Sequence, residues 1–454
     1  MRPLEILAVL AVLAGLLRPG WLAALAVLAA AAQLVVEGAR WQMVPVYLAA
    51  SLAVLAGVAE LSDRKGLRLA ALCGAMVLAV AGVGAAIAFP IFRLPPPTGS
   101  APVGTRLLQV PAGPDGRVLS LQIWYPARPD AALATARYRD TAPGLLLSHL
   151  PLVPTHARLE APITPGPHPV VLYAHGWGGF PQDNTALVED LASHGFVVVA
   201  VGTPGGLGTG HAADGRPVDL DGPLDLSSDA ATATTQLIGA LNTAARARDL
   251  VRVLDTLAAL NAGDPAGPFT GALQAARAGV LGFSFGGSVA AETARIDRRV
   301  VAVMNMDGWL FGPVQRTGVA VPYLVMSDDA PLPAPGDETA ADAGRRNWAI
   351  LMNRDWTCMR AGFARHGGEL MFLTGSLHTN FSDRPYYSPI RRWSGAGRID
   401  PARATAIQRR IAVTFFGRWL RGDPAPPPDQ DGSPFPEIRR QTWPLPAPAE
   451  AAAG

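Results

Sequence analysis

The chain has 454 residues with 38 Lys+Arg against 36 Asp+Glu, so its net charge of +2 gives no electrostatic footprint for a nucleic-acid partner. Only 16% of residues are charged and mean hydropathy is +0.22, an apolar excess that sits almost wholly at the front. Two cysteines, Cys73 and Cys358, imply no disulfide framework.

Uncharged apolar stretches run over Ile6–Leu17, Pro19–Val36, Trp41–Ala59 and Leu69–Phe92. A span needs about 20 residues, so the last two are ample and the first two short. The expectation is four transmembrane helices at about 4–17, 20–36, 43–60 and 69–92, with Arg18-Pro19-Gly20 as a tight turn between the first two. A cleaved leader over Arg2–Leu17 would not require the three apolar runs that follow it. Loops carrying Arg18, Arg64, Lys65 and Arg68, set against Arg2, Arg40 and Arg93, favour a catalytic part outside the cytoplasm, and the expected location is an inner membrane of bacterial type. Span interiors free of charge make anchoring the default role.

Domain 1–92 is thus read as membrane helices, 93–105 as a Pro-rich linker, 106–422 as a catalytic domain and 423–454 as a Pro-rich, disordered tail. Within the catalytic domain VLSLQIWYP (118–126) alternates with period two, as a half-buried strand does. The runs at 169–176, 196–202, 278–284, 299–307, 321–328 and 369–375 are continuously apolar, which suits strands covered on both faces of a parallel sheet. Helical stretches at 184–195, 232–260 and 288–295 alternate with them, predicting a doubly wound α/β domain. In such sheets, sites form beyond the carboxyl ends of the strands.

LGFSFGG (281–287) places Ser284 between an apolar strand and a helix, with Gly282 and Gly286 leaving room for a sharp turn. A serine hydroxyl needs a base, and His378, in GSLHTNF after the strand at 369–375, suits the Ser, acid, His chain order. His194 and His366 fall at the opposite end of the sheet, and His149, His156, His168 and His211 read as surface residues. The acid is open at this level between Asp307 and the doublet Asp328-Asp329, one strand later; the apolar GWLFGP after Asp307 would shield it, whereas the doublet reads as a solvated strand end. AHGWGGF (174–180) offers the backbone N–H of Trp177 to an oxyanion beside that of Phe285, with His175 and Gly176 supporting the turn. No zinc-type Cys/His spacing, P-loop or dinucleotide fingerprint occurs, so neither metal nor cofactor is expected.

AHGWGG, DLASHGFVVVAV (190–201), GFSFGG, NMDGWLFGP (305–313) and GSLHTNFSD (375–383) together resemble the plasma and type II platelet-activating-factor acetylhydrolases, in the α/β-hydrolase superfamily. The resemblance spans about Pro102 to Gly422. It implies an α/β-hydrolase fold with a mostly parallel sheet, Ser284 as nucleophile, Asp307 as acid, His378 as base, and Trp177 and Phe285 as oxyanion donors. Phe283 stands where that family usually has His, and Gly312 is an extra glycine. The implied activity is hydrolysis of short-acyl, acetyl-type esters, of phospholipids among others, through an acyl-enzyme. An acyltransferase using the same residues, or a non-catalytic lipid-binding protein, are the rival classes. The segment 382–398, with Arg384, Tyr386, Tyr387, Arg391, Arg392 and Trp393, reads first as a surface loop and second as a lipid-headgroup face; Thr203–Leu226 would rim the pocket.

Overall fold

The computed structural model describes residues 1–18, 21–113, 116–141, 144–203, 206–212, 214–263, 267–424 and 435–444. Pro19 and Gly20 of the expected tight turn, three positions of the 203–226 loop and most of the expected tail lie outside them. The chain forms two compact units: Met1–Leu94 with Arg137–Thr155 and Arg384–Ser394, and the remainder.

The first unit contains helices α1 (Pro3–Leu17), α2 (Trp21–Glu37), α3 (Val44–Leu61) and α4 (Lys65–Ala88). Among the described residues two stretches, Trp41–Leu61 and Lys65–Ala88, are long and apolar enough to cross a membrane, which corrects the expected four. The reason is length: 15 and 17 residues in α1 and α2 rise about 22 and 25 Å, short of the ~30 Å hydrocarbon layer. Nor is α1 free of charge. Glu5 in its first turn is fully buried against Arg40 at 2.6 Å, and Arg2 closes on the same carboxylate at 2.9 Å. The two later segments of this unit fasten to the helices through polar and aromatic contacts. Gln42 bonds His149 at 3.0 Å, Trp393 stacks on Phe89 at 5.4 Å and Tyr387 on Phe92 at 5.4 Å.

The second unit is built on an eleven-stranded sheet. Its strands are β1 (Val103–Pro111), β2 (Val118–Pro126), β3 (Thr135–Arg137), β4 (Pro154–Leu159), β5 (His168–Ala174) and β6 (Val197–Gly202), then, after a separate small hairpin β7 (Thr209–His211) and β8 (Pro217–Asp219), β9 (Leu273–Phe283), β10 (Val300–Met306), β11 (Tyr323–Ser327), β12 (Gly368–Leu373) and β13 (Ile438–Trp443). The order is β13-β12-β11-β10-β9-β5-β6-β2-β1-β4-β3, with β6, β5, β9, β10, β11 and β12 parallel in succession. In β5, Val170, Leu172 and Ala174 face one core while Val171 and Tyr173 face the other; β6 divides its valines likewise. One core is closed by α6 (Asp229–Ala262) and α7 (Phe285–Ile296), the other by α5 (Thr185–Ser193) and α11 (Pro401–Phe416). Both faces are therefore dry, which is why these strands read as unbroken apolar runs.

Two expected boundaries move. The linker is not free: Pro95 and Pro96 carbonyls accept from the buried Arg409 at 2.8 Å each, and β1 already begins at Val103. The tail contains β13, paired antiparallel with β12 and held by Arg440–Glu369 at 2.7 Å and by Trp443 stacked on Phe363 at 4.7 Å. Proline masks such a strand only at the composition level, since IRRQTW itself contains none.

Because β6 and β9 leave β5 on opposite sides, a crevice opens at the carboxyl ends of β5 and β9. α7 enters it so closely that a β-carbon on Gly286 would collide with the Ala174 carbonyl. Gly286→Ala is expected to destabilise the domain by about 1–3 kcal/mol through overpacking, a loss that denaturant unfolding measures.

Candidate active site

Ser284 is the residue between β9 and α7, and its backbone is left-handed, with φ 55° and ψ −126°. A non-glycine residue there is strained. Its N–H donates to the Met306 carbonyl at 2.8 Å, and its own carbonyl accepts from Gly287 at 2.8 Å, so the turn is bolted to the neighbouring strand and to the helix it starts.

Asp307, at the end of β10, is the second strained residue, with φ 59°. The Asn305 side chain holds that turn, accepting from the Gly308 N–H at 2.9 Å and donating to the Gly308 carbonyl at 2.9 Å. The carboxylate is used on both oxygens. Oδ1 accepts from Ser327 Oγ at 3.1 Å and from the Asp328 N–H at 2.9 Å; Oδ2 lies 2.6 Å from His378 Nδ1. The other imidazole nitrogen, Nε2, lies 2.9 Å from Ser284 Oγ. Phe283 stacks on the same ring, centroids 5.1 Å apart.

Neither member of the doublet meets the imidazole's hydrogen-bonding edge. Asp328 gives its backbone to Asp307, and burial together with the Asp307 charge pushes its carboxyl up to about 6. Asp329 pairs with Arg439 of β13 at 2.6 Å and accepts from the Gly375 N–H at 3.0 Å, which ties down the loop that carries His378.

Trp177 and Phe285 lie across from each other with their rings edge to face at 4.7 Å. The Phe285 N–H opens its helix, where no intrahelical acceptor exists, and the Trp177 N–H donates to no described backbone group. Sequence reasoning missed Arg246 of α6, which donates to the His175 carbonyl at 2.7 Å, two residues before Trp177, and lies over the Phe285 ring at 5.7 Å. Burial pulls its guanidinium down to about 10. Its signal is faint, one cation within a long helix. His175 Nδ1 lies 2.9 Å from the Gly176 carbonyl, a local contact within the turn.

Ser284, Asp307, His378, Trp177 and Phe285 all line one cavity of about 370 Å³, with Leu224 the contribution of the 203–226 loop. No side chain from 382–398 lines it. Among the described residues no cluster of His, Cys, Asp and Glu could hold a metal.

A further lining residue, Asp355, lies on α9 (Ala343–His366), and burial pushes its carboxyl up to about 6. A carboxyl raised above its unfolded value of about 3.9 binds its proton more tightly in the folded state, so its contribution to stability is full below pH 4 and lost as pH rises through 6. Asp355→Asn removes that loss. The variant is expected to gain on the wild type by on the order of 2–3 kcal/mol between pH 4 and pH 7.5, read from denaturant midpoints; equal gaps at both pH values would contradict it.

Residues 152–327 match the family model described as platelet-activating factor acetylhydrolase, isoform II. The chain is 25% identical over 362 residues to the platelet-activating factor acetylhydrolase of Cavia porcellus, covering 71% of this chain and 78% of that one. It also superimposes on a ferulic acid esterase from Streptomyces cinnamoneus with a TM-score of 0.56 at 27% identity, covering 78% of this chain and all of that one. The chain is a carboxylic ester hydrolase of α/β-hydrolase-like fold, similar over residues 152–327 to the platelet-activating factor acetylhydrolase, isoform II family.

Proposed function

We propose that this chain is a membrane-anchored serine hydrolase of short-acyl, acetyl-type esters, phospholipid esters included, with Ser284 as nucleophile, His378 as base and Asp307 as its orienting acid. The observation that carries the reading is the placement of the His378 ring between Ser284 Oγ at 2.9 Å and Asp307 Oδ2 at 2.6 Å. With the proton on Nδ1 donated to Asp307, Nε2 is free to take the serine proton. Ser284 Oγ then attacks the ester carbonyl, and the oxyanion is received by the N–H groups of Trp177 and Phe285. His378 returns the proton to the leaving alcohol. Water, deprotonated by the same nitrogen, attacks the acyl-enzyme and releases the acid.

Anchoring is assigned to the stretches Trp41–Leu61 and Lys65–Ala88, whose apolar length supports it. Alkaline carbonate washing is expected to leave the chain in the membrane pellet; release into the supernatant would refute the anchor.

A fluorophosphonate probe is expected to label Ser284, and Ser284→Ala to abolish both labelling and hydrolysis of p-nitrophenyl acetate. Asp307→Asn, which disturbs the imidazole tautomer, is expected to lower kcat by roughly 10³–10⁴, and Asp328→Asn by less than about tenfold, since Asp328 presents only its backbone to Asp307. Equal losses from the two Asp changes would remove Asp307 from its role, and a folded protein without labelling would remove the hydrolase mechanism. A preference for octanoyl over acetyl esters would overturn the short-acyl assignment.

A further inference from the structure

Two carboxyls that line the cavity, those of Asp328 and Asp355, take no part in the proposed chemistry, and the second lies deep on a helix face. α9 presents Trp348, Met352, Asp355, Trp356 and Met359 to the cavity, the spacing of a single helix face. A carboxyl in the middle of that stripe is out of place unless it is used. Asp355 is 4% exposed. Its Oδ1 is fixed, accepting from the Leu310 N–H at 3.0 Å and from Gln315 Nε2 at 3.3 Å. Its Oδ2 has no hydrogen-bond partner among the described residues, and no arginine or lysine pairs with it there.

The rest of the lining is broad and flat: Trp177 and Trp309 join the two α9 tryptophans around the space. About 370 Å³ far exceeds an acetyl group, so the alcohol portion of the ester must supply what fills it. Aromatic walls favour a ring by offset and edge-to-face stacking. The fixed acceptor, held where burial disfavours its charge, suits an uncharged O–H donor better than a cation, which would require the ionised form throughout.

We propose that Asp355 is a specificity-determining residue: the cavity receives an ester whose alcohol portion carries a hydroxylated aromatic ring, and Asp355 Oδ2 accepts the hydrogen bond of the ring hydroxyl. The proposal rests on the ester-hydrolase reading and names the substrate class of the same site. A site built around a buried acceptor discriminates against the analogue that leaves it unpaired.

The test compares kcat/KM for 2-(4-hydroxyphenyl)ethyl acetate and 2-phenylethyl acetate, using the full chain in detergent and its Asp355→Asn and Asp355→Leu variants, with folding checked by circular dichroism. The wild type is expected to prefer the hydroxylated ester by at least about 30-fold, and the variants to prefer it by less than about threefold. A wild-type ratio near one, or a preference that survives in the folded Asp355→Asn variant, overturns the proposal. So does a preference for acetylcholine over its neutral isostere 3,3-dimethylbutyl acetate that Asp355→Asn removes, because the carboxylate would then be reading a cation. Binding is read separately through fluorescence of the cavity tryptophans, titrating 2-(4-hydroxyphenyl)ethanol and 2-phenylethanol. Tenfold tighter binding of the hydroxylated alcohol, lost in both variants, supports the subsite even if Ser284 is not labelled and no ester is cleaved; equal binding overturns it while leaving hydrolysis of p-nitrophenyl acetate, and with it the underlying reading, intact.

Discussion

A serine backbone held at a φ of 55° is the constraint on which the rest of the site depends. Such a conformation costs on the order of 1–3 kcal/mol and persists only where its surroundings over-determine it. Here they do so from three directions: the Met306 carbonyl fixes the Ser284 N–H, Gly286 lets the helix pass against the end of β5, and the two apolar cores lock β9 between its parallel neighbours. Relaxing any one of these would let the turn fall back to an ordinary helix start and withdraw the hydroxyl from the crevice.

The second strained residue, Asp307, sits one strand away and is tied to the first through the same backbone. The Met306 carbonyl receives the serine N–H, and the next residue's N–H donates to the Met326 carbonyl at 2.7 Å. Strain at the two positions is therefore not independent. Asn305 stabilises the Asp307 turn from below, bonding both polar backbone atoms of Gly308 and the Tyr323 hydroxyl at 3.0 Å. A single buried amide thus sets the height at which the carboxylate meets the imidazole.

Much of this could be read from residues. The apolar runs at 196–202 and 299–307 are β6 and β10 to within a residue or two, because a strand dry on both faces has no other composition available. The neighbourhood of Ser284 and His378 was legible because strand ends are where this sheet architecture gathers polar groups. Asp307 against Asp328 was not decidable from pattern: both end parallel strands, and the difference is whether a carboxylate or a backbone N–H reaches the site. Arg246 and Asp355 were invisible for another reason. Each is one polar residue on a long helix, and its meaning comes from what a distant loop places opposite it. The first two helices were over-read because hydropathy shows that a run is apolar and not how much of it the helix spans, and at 15 and 17 residues both stop short.

β13 gives the chain's last described segment a reach beyond its own edge. Arg439 holds Asp329, whose other oxygen receives the Gly375 N–H, three residues before His378. Removing everything after Gly422 would therefore do two things at once. It would loosen the loop that presents the imidazole, and it would strip β12 of its partner, leaving a row of unsatisfied backbone groups open to a second molecule. A displaced imidazole and growth of aggregates would then share one origin, an open sheet edge a few residues from His378.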